Sequence, residues 1–245
     1  MNLKRLSWAG IEASDGRWRV LVDPLEDAGP LQSFLGPPRG PLVPIRIDKQ
    51  TWVLVTHLHP DHCDVKLLAR LPSGHVLCHW PIAEALTGKG VHPTPTELWR
   101  SVPIGPFRVT PVPSHDWRGD DQVAWVIESE AQRVIHCGDT IWHGGWYEIG
   151  RRQGPLDVAF LPINGVIAQL DGFTATQVPA TLTPEEAIEA AIVLKAARAC
   201  AIHHTLFHNP PRYSEQAMAV ERFLAAGRNR HIRAVAPADG EELGL

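Results

Sequence analysis

The feature that most constrains this chain is a group of histidines and aspartates directly behind an apolar run, in the segment VLVTHLHPDHCD at residues 53–64. His57 and His59 are two positions apart, so extended backbone would project both rings to the same side. The turn that follows can bring Asp61 and His62 towards a second point nearby. Imidazole nitrogens and carboxylate oxygens are ligands of borderline divalent cations such as Zn²⁺, Mn²⁺ and Fe²⁺. The segment therefore predicts a metal site at the end of a strand.

Other loops offer further candidate ligands, each just after an apolar run. The segment VTPVPSHDW supplies His115, RVIHCGDT supplies Asp139, and CAIHHTLFH supplies His203, His204 or His208. One short segment cannot place every ligand of a catalytic site, so other loops must contribute. Because the arrangement of a strand followed by a ligand recurs, we expect several strand ends to converge on one site.

Short apolar runs separated by turn residues predict a chain rich in strands. The strand candidates are residues 3–8, 17–23, 52–56, 75–79, 107–113, 122–129, 133–137, 157–163, 200–204 and 232–237. The helix candidates are residues 64–71, 81–88, 183–199 and 214–227. Strands and helices do not alternate strictly, which favours an α/β (α+β) fold with two mixed sheets flanked by helices, a four-layer αββα sandwich. We expect one domain over residues 1–245, a length that can bury such a core.

The clearest helix signal is TPEEAIEAAIVLKAARA at residues 183–199. Thr183 can cap the helix, Pro184 suits its first position, and Glu186 completes a capping box. Apolar residues from Ile188 onwards recur at helical spacing and predict one buried face.

Composition narrows the class of protein. The net charge of −4 and the scattered basic residues argue against a nucleic-acid partner, which would usually require a strongly basic face. Four widely spaced cysteines without a CxxC pair predict free thiols in a reducing compartment. No apolar stretch has the length of a signal peptide core or of a membrane helix. We therefore expect a cytoplasmic protein that acts on a small molecule and has no membrane-spanning segment; homo-oligomer formation stays open.

The chain resembles the metallo-β-lactamase-fold hydrolases almost from end to end. THLHPDH matches the H-x-H-x-D-H signature of that family, LVDP its early strand ending in Asp-Pro, PSHD its third histidine motif, and HCGDT its Gly-Asp-Thr motif. The segments LPIN, LTPEEA and AIHHTLF are most similar to the branch that contains ascorbate-6-phosphate lactonase and the phospholipase-D-type phosphodiesterases. The resemblance implies a metallo-β-lactamase-like fold.

It also implies a site for two divalent ions, zinc first, with manganese or iron as alternatives. The implied ligands are His57, His59 and His115 for one ion and Asp61, His62 and His203 for the other, with Asp139 bridging both. A hydroxide shared by the ions would be the nucleophile, and the ions would polarise the substrate. Asp61 would also orient the hydroxide. Asp23 would accept a hydrogen bond from a ligand imidazole.

The chain departs from the family pattern near Gly10, and the pattern must also decide between two adjacent histidines. Relatives in this branch commonly carry Gly-His near the amino terminus, where this chain has Gly10 followed by Ile11. At the last motif the family places its terminal ligand directly after an isoleucine, which selects His203. We expect His204 to pack near the pocket instead.

Candidate substrate-binding residues lie close to these motifs. Trp117 follows the third histidine motif and can line the pocket, and Arg118 beside it can receive a substrate anion. Asn164 and Tyr213 are candidates of the same kind. The Pro- and Gly-rich loop at residues 29–44 is too long for a simple turn, so we expect it to cover something.

These patterns predict a metal-dependent hydrolase that cleaves a lactone, ester or phosphodiester in a small substrate. One alternative is a nuclease or RNA-processing enzyme of the same fold, which the acidic balance of the chain disfavours. Another is a non-catalytic metal-binding protein. Closed structural sites fill every coordination position with protein ligands, whereas seven ligands shared by two ions leave room for water.

Overall fold

Two seven-stranded sheets form the centre of the computed structural model, which describes residues 1–244. The first sheet contains β1 (Asn2–Arg5), β2 (Ile11–Ser14), β3 (Arg19–Val22), β4 (Thr51–Leu54), β5 (Val76–His79), β6 (Pro93–Thr96) and β16 (Glu242–Leu243). The second contains β7 (Val102–Ile104), β8 (Phe107–Pro113), β9 (Val123–Glu128), β10 (Arg133–His136), β11 (Leu156–Pro162), β13 (Ala196–Ile202) and β15 (Arg233–Val235). A small sheet pairs β12 (Ile167–Ala168) with β14 (Tyr213–Ser214).

Both large sheets are mixed. The strand order is β16-β1-β2-β3-β4-β5-β6 in the first and β15-β13-β11-β10-β9-β8-β7 in the second. Strands β3 to β6 run parallel, as do β10, β11, β13 and β15, and the remaining pairs are antiparallel. Each sheet therefore has a parallel half, whose strands all end at the same edge.

The central strands bury apolar side chains on both faces. In β3, Val20 and Val22 lie in the core between the sheets, while Leu21 lies in a second core under helices. In β11, Phe160 faces the core between the sheets and Leu161 faces a third core. Because successive side chains of a strand point to opposite faces, strands covered on both sides are continuous apolar runs.

Helices cover the outer faces of both sheets. They are α2 (Val65–Leu68), α3 (Ala83–Thr87), α4 (Gly145–Gln153), α5 (Pro184–Val193) and α6 (Ala219–Asn229), whereas α1 (Gln32–Leu35) packs Leu35 against the core between the sheets. Leu67 of α2 and Leu86 of α3 pack on the first sheet, whereas Trp146, Ile188 and Phe223 bring α4, α5 and α6 onto the second. The resulting αββα sandwich confirms the predicted fold class. Among the helices of residues 1–244, none has the length and apolar character that crossing a bilayer requires.

Helix α5 begins as predicted and ends early. The Glu186 amide donates to Thr183 Oγ1 (3.3 Å), and the Glu186 carboxylate accepts the Thr183 amide (2.9 Å), so the capping box is present. The prediction of helix up to residue 199 was wrong. Lys195 has a left-handed φ of 57°, and Ala196 opens β13 in parallel register with Leu156. Pairing with the buried strand β11 thus overrides the helix propensity of an alanine-rich segment.

The elements absent from the sequence prediction carry weak local signals. Strand β6 has the sequence PTPT. An edge strand tolerates proline because the backbone N–H groups on its unpaired side have no neighbouring strand to donate to. Helix α4 contains Gly150, whose added Cβ would lie 2.0 Å from the Val193 carbonyl oxygen. Glycine at position 150 lets α4 approach the end of α5. Because glycine has low helix propensity, the segment was not recognised as a helix from its sequence. Residues 29–35 of the Pro- and Gly-rich loop form a 3-10 turn followed by α1.

Candidate metal centre

The candidate site lies where five strands of the two sheets end. Strands β3, β4, β8, β10 and β13 are each followed, one to three residues later, by a carboxylate or imidazole of the site: Asp23, His57, Asp116, Asp139 and His203. The carboxyl ends of parallel strands share one edge of a sheet, and the loops beyond that edge are where α/β folds bind ligands. The convergence of strand ends predicted from the sequence is therefore present in the structure.

The turn after β13 separates the two adjacent histidines. His203 has a left-handed φ of 56°, and its amide donates to the Trp8 carbonyl (3.0 Å). The imidazole of His203 faces the other candidate ligands. His204 points to the opposite side of the turn and contacts the guanidinium of the buried Arg5. Of the two adjacent histidines, His203 is thus the one that lies with Asp61 and His62.

A first group of possible ligands consists of His57, His59 and Asp139. His57 Nε2 lies 3.5 Å from Asp139 Oδ1. His59 Nδ1 lies 3.8 Å from Asp139 Oδ2. The rings of His57 and His59 stand edge to face with their centroids 4.4 Å apart. His57 Nε2 and His59 Nδ1 both point towards Asp139.

A second group consists of Asp61, His62 and His203. Asp61 Oδ2 lies 3.6 Å from His62 Nε2 and 3.5 Å from His203 Nε2. Asp139 Oδ2 is 3.9 Å from His62 Nε2, so Asp139 faces both groups. This is the position that a carboxylate shared between two ions would occupy.

The facing atoms fit a divalent ion. Within residues 1–244, the Nε2 atoms of His57, His62 and His203 and the Oδ1 atom of Asp139 are buried without a hydrogen-bond partner. Buried polar atoms are costly unless they are paired or bind a metal. Ligand atoms about 2.1 Å from a tetrahedral ion stand roughly 3.4 Å apart, close to the gaps of 3.5 to 3.9 Å seen here. The spacing is too long for hydrogen bonds and suits shared coordination.

Neighbouring side chains fix the orientation of the imidazoles. His62 Nδ1 donates to the fully buried Asp23 carboxylate (2.7 Å), which also accepts the amide (2.9 Å) and hydroxyl (2.6 Å) of Thr56. The Thr56 hydroxyl oxygen in turn lies 2.9 Å from His57 Nδ1. With protons on these Nδ1 atoms, the Nε2 atoms of both rings are free to bind metal. Asp23 thus accepts a hydrogen bond from a candidate ligand.

Sequence reasoning missed Trp8. This buried residue lies in the SWAG segment, and its indole Nε1–H donates to Asp61 Oδ2 (3.0 Å). Its ring also packs against His203, with centroids 4.0 Å apart. Trp8 therefore touches two members of the second group. Trp8 was assigned to the predicted strand at residues 3–8 and given no other role. The sequence feature that could have identified it is its position next to Gly10 and Ile11, where the chain departs from the family pattern.

The structure does not bring His115 to either group. His115 is exposed, and its ring lies 4.5 Å from that of His143. The next residue, Asp116, is buried instead, and its Oδ2 lies 3.8 Å from His59 Nδ1. The loop after β8 thus contributes a neighbour of the first group, one position beyond the residue that the family pattern implied.

Carboxylates hold protons on two imidazoles of this site, those of His59 and His62, whereas burial lowers the pKa of His57 to about 3 and also lowers the pKa of His203. Burial opposes charge on His62, but Asp61, Asp139 and Asp23 outweigh it and raise the pKa of His62 to about 10. Burial also opposes charge on His59, yet Asp139 and Asp61 raise the pKa of His59 to about 9. A metal ion must displace these protons, because only neutral imidazole is a ligand.

A cavity of about 270 Å³ opens onto the two groups. Its wall includes Pro30, Leu31, Phe34 and Leu35 from the 3-10 turn and α1, Trp117 and Arg118 from the loop after β8, and Val166, Ala168, Leu170, Ala180, Thr181 and Tyr213. His59, Asp61, Asp139 and His203 lie at its polar end. The segment at residues 29–35 thus covers this cavity, which gives the Pro- and Gly-rich loop a role.

Of the four predicted substrate-binding residues, three line the cavity. Trp117, Arg118 and Tyr213 belong to its wall, whereas Asn164 is fully buried behind it. Asn164 Nδ2 donates to the Tyr213 hydroxyl oxygen (3.0 Å), and Asn164 Oδ1 accepts from Thr181 Oγ1 (2.6 Å). Asn164 therefore orients two wall residues and leaves the Tyr213 proton free to donate.

Comparison with known proteins agrees with this architecture. The model of the β-lactamase superfamily domain matches residues 18–204. Over 170 residues the chain is 30% identical to a UPF0173 metal-dependent hydrolase of Symbiobacterium thermophilum, an alignment that spans 66% of this chain and 71% of that protein.

Solved structures share the fold. Igni18, a metallo hydrolase from the archaeon Ignicoccus hospitalis, superposes with a TM-score of 0.71 at 19% identity, covering 99% of this chain and 97% of Igni18. YhfI, a metallo-β-lactamase-fold protein from Bacillus subtilis, gives a TM-score of 0.70 at 13% identity, with 99% and 98% covered. The matched family model and the shared architecture lead to one conclusion: this chain belongs to the β-lactamase superfamily and has the metallo-β-lactamase fold.

Proposed function

We propose that this protein is a metal-dependent hydrolase with two divalent ions, zinc first among them, that cleaves a lactone, ester or phosphodiester bond in a small molecule. The observation that carries the proposal is the pair of candidate ligand groups at the polar end of an apolar cavity, with Asp139 facing both groups. The relative from Symbiobacterium thermophilum is named a metal-dependent hydrolase, which supports the same class.

Each group would hold one ion. One ion would be held by His57, His59 and Asp139. The other ion would be held by Asp61, His62 and His203. When bound, such ions polarise a carbonyl or phosphoryl oxygen and acidify a water to near neutral pKa.

The residues of this chain supply orientation. The Trp8 indole fixes one oxygen of Asp61. The other oxygen would accept a hydrogen bond from the attacking water or hydroxide and so orient it. Tyr213, held by Asn164, can donate a hydrogen bond to charge that develops on the substrate.

The shape of the cavity limits the substrate. A volume of about 270 Å³ accommodates a small molecule. Most of its wall is aliphatic or aromatic, so the group next to the scissile bond should be apolar. Arg118 is the one Lys or Arg side chain among the described wall residues, and it is paired with Asp120. A polyanionic RNA backbone would require more cationic side chains than this.

The proposal is tested by reconstitution and a substrate panel. Protein freed of metal by chelation, then supplied with Zn²⁺, Mn²⁺ or Fe²⁺, is assayed on aryl esters, lactones, bis-aryl phosphodiesters and single-stranded RNA. We expect hydrolysis of a small substrate only with metal, and its loss in Asp61→Asn and Asp139→Asn. Glu130→Gln, which alters an exposed carboxylate, is the control and should match the wild type.

Three outcomes would contradict the proposal. Activity that survives with metal confirmed absent would exclude metal-dependent hydrolysis. Cleavage of RNA with no turnover of small substrates would favour the nuclease alternative. Tight binding of metal without hydrolysis in any class would favour the non-catalytic alternative.

A further inference from the structure

A buried arginine lies behind the second group of candidate ligands. Arg5 is 1% exposed, and its guanidinium contacts both the turn after β13 and the loop that carries Trp8. Nη1 donates to the Ala201 carbonyl (3.2 Å) and contacts His204, and Nη2 donates to the Trp8 carbonyl (3.2 Å). One side chain thus joins two segments that are far apart in sequence.

The Trp8 carbonyl connects Arg5 to His203. It accepts the amide of His203 (3.0 Å) as well as the guanidinium of Arg5. Trp8 and His203 both have left-handed φ values, 60° and 56°. Residues other than glycine keep such a conformation only where the surrounding structure fixes it. The hydrogen bonds at this one carbonyl therefore hold two strained residues together.

Both strained residues present a side chain to Asp61. The Trp8 indole donates to Asp61 Oδ2 (3.0 Å), and His203 Nε2 lies 3.5 Å from the same oxygen. The two rings also pack against each other, with centroids 4.0 Å apart. Because the rotamers open to a side chain depend on its backbone angles, the contacts that hold these two turns also set the geometry around Asp61.

Stability alone does not account for a charged side chain at this position. Arg5 Nε lies 3.2 Å from Asp239 Oδ1, and Nη1 also donates to the Pro237 carbonyl (3.3 Å). Burial lowers the pKa of Arg5, and the Asp239 carboxylate opposes that shift. A buried ion pair is often no more stabilising than apolar side chains of similar volume. An apolar side chain, however, could not donate to the separate carbonyls that the planar guanidinium joins.

We propose that Arg5 is a positioning residue of the second ligand group: it holds the Trp8 loop and the His203 turn so that indole and imidazole converge on Asp61. This inference rests on the proposed two-metal site. It adds a residue that belongs to neither ligand group and on which binding of the second ion depends.

The test compares Arg5→Met with Arg19→Met. Arg19 is the matched control, because it is a partly buried arginine that pairs with Glu12 (2.8 Å) and belongs to neither ligand group. Methionine fills much of the volume of arginine and has none of its donors. Folding is checked by circular dichroism. Should Arg5→Met fail to fold, the double variant with Arg5→Met and Asp239→Asn replaces it, since it leaves no unpaired carboxylate.

The first readout requires no metal. The indole N–H resonance of Trp8 in a proton–nitrogen correlation spectrum, identified by its absence in Trp8→Phe, reports the hydrogen bond to Asp61. We expect this resonance to move in Arg5→Met towards the position of an indole in water, and to stay in place in Arg19→Met. An unmoved Trp8 resonance in Arg5→Met would overturn the inference.

The second readout is affinity for Zn²⁺, measured by competition with a chromophoric chelator. We expect the second ion, defined as the one lost in His203→Ala, to bind at least about tenfold more weakly in Arg5→Met. The first ion should bind as it does in the wild type, and Arg19→Met should match the wild type for both ions. Unchanged affinity for the second ion in Arg5→Met, or an equal loss in Arg19→Met, would overturn the inference. If the wild type binds no second ion, the proposed function fails, while the Trp8 resonance still tests the role of Arg5.

Discussion

At the residue scale, the site is set by which nitrogen of each imidazole is free. Thr56 and Asp23 lie against the Nδ1 atoms of His57 and His62, so their Nε2 atoms face the candidate ligands Asp139 and Asp61. His59 is inverted, since Asp120 lies against its Nε2 and leaves Nδ1 inward. These three candidate ligands thus depend on partners outside the candidate metal site, and we expect these partners to control metal affinity.

Trp8 allows one such partner to be tested. Trp8→Phe removes the indole N–H donated to Asp61 and keeps an aromatic ring against His203. We expect the second ion to bind roughly tenfold more weakly, as is typical when an outer partner of a ligand is lost. Trp52→Phe is the control, because the Trp52 ring stacks on His75 and its Nε1 has no partner within residues 1–244. Equal affinities in both variants, measured by competition with a chromophoric chelator, would remove Trp8 from the site.

The adjacent histidines give a second test at this scale. His203→Ala should lose most of the second metal, because the imidazole of His203 faces Asp61. His204→Ala should keep both ions, since His204 contacts Arg5 on the other side of the turn. Elemental analysis of both proteins decides the matter. Loss of metal only in His204→Ala would show that the assignment is one residue out of register.

At the element scale, local patterns predicted what local forces determine. The ten apolar runs read as strands and the capping box at Thr183 have counterparts in the structure, because both depend on neighbours in sequence. The predicted end of α5 differs from the observed one, because the pairing of β13 with β11 is a long-range effect. The site divides in the same way. The H-x-H-x-D-H motif is local, whereas the burial of Asp116 and the exposure of His115 depend on how the loop after β8 packs.

The capping box of α5 should contribute measurably to stability. Thr183→Ala removes both side-chain hydrogen bonds of the cap, with Glu186 as partner. We expect the free energy of unfolding to fall by about 1 kcal/mol, while metal content stays unchanged because α5 contributes no ligand. Urea denaturation of the metal-free protein measures the effect. Thr183→Ser keeps the hydroxyl and should stay near the wild type; an equal loss in both variants would contradict the capping account.

At the scale of the whole molecule, carboxylates and imidazoles gathered from several loops link stability to pH. In the metal-free protein the pKa values of His59 and His62 are raised to about 9 and about 10, whereas unfolded histidine titrates near 6.5. The folded state therefore holds more protons between pH 6.5 and 9. Their stabilising contribution is complete below pH 6.5 and is lost as pH rises through the folded pKa values.

We therefore expect the metal-free protein to become less stable from pH 6.5 to 9. The slope should be at most about 1.4 kcal/mol per pH unit for each histidine. His62→Gln removes one of the two groups and should flatten the slope, whereas His231→Gln, on the exposed side of the turn after α6, should not. Stability that is constant or rises across this window, measured by urea denaturation in the presence of chelator, would contradict the proposed charge balance.

The same scale bears on domain organisation. The core between the sheets combines side chains from β3 and β4 near the amino terminus with side chains from β11 and β13. We propose on this basis that residues 1–245 fold as one domain. The candidate metal ligands likewise come from both sheets, so we expect metal binding to stabilise the whole chain and not one part of it.

The central claim, a site for two ions that share Asp139, is tested most directly by counting metal. Protein purified with divalent metal supplied, desalted and analysed for metal per chain should contain close to two equivalents, and Asp139→Ala should lose affinity for both. A wild-type protein that saturates at one equivalent, or an Asp139→Ala variant that still binds two ions with unchanged affinity, would contradict the account.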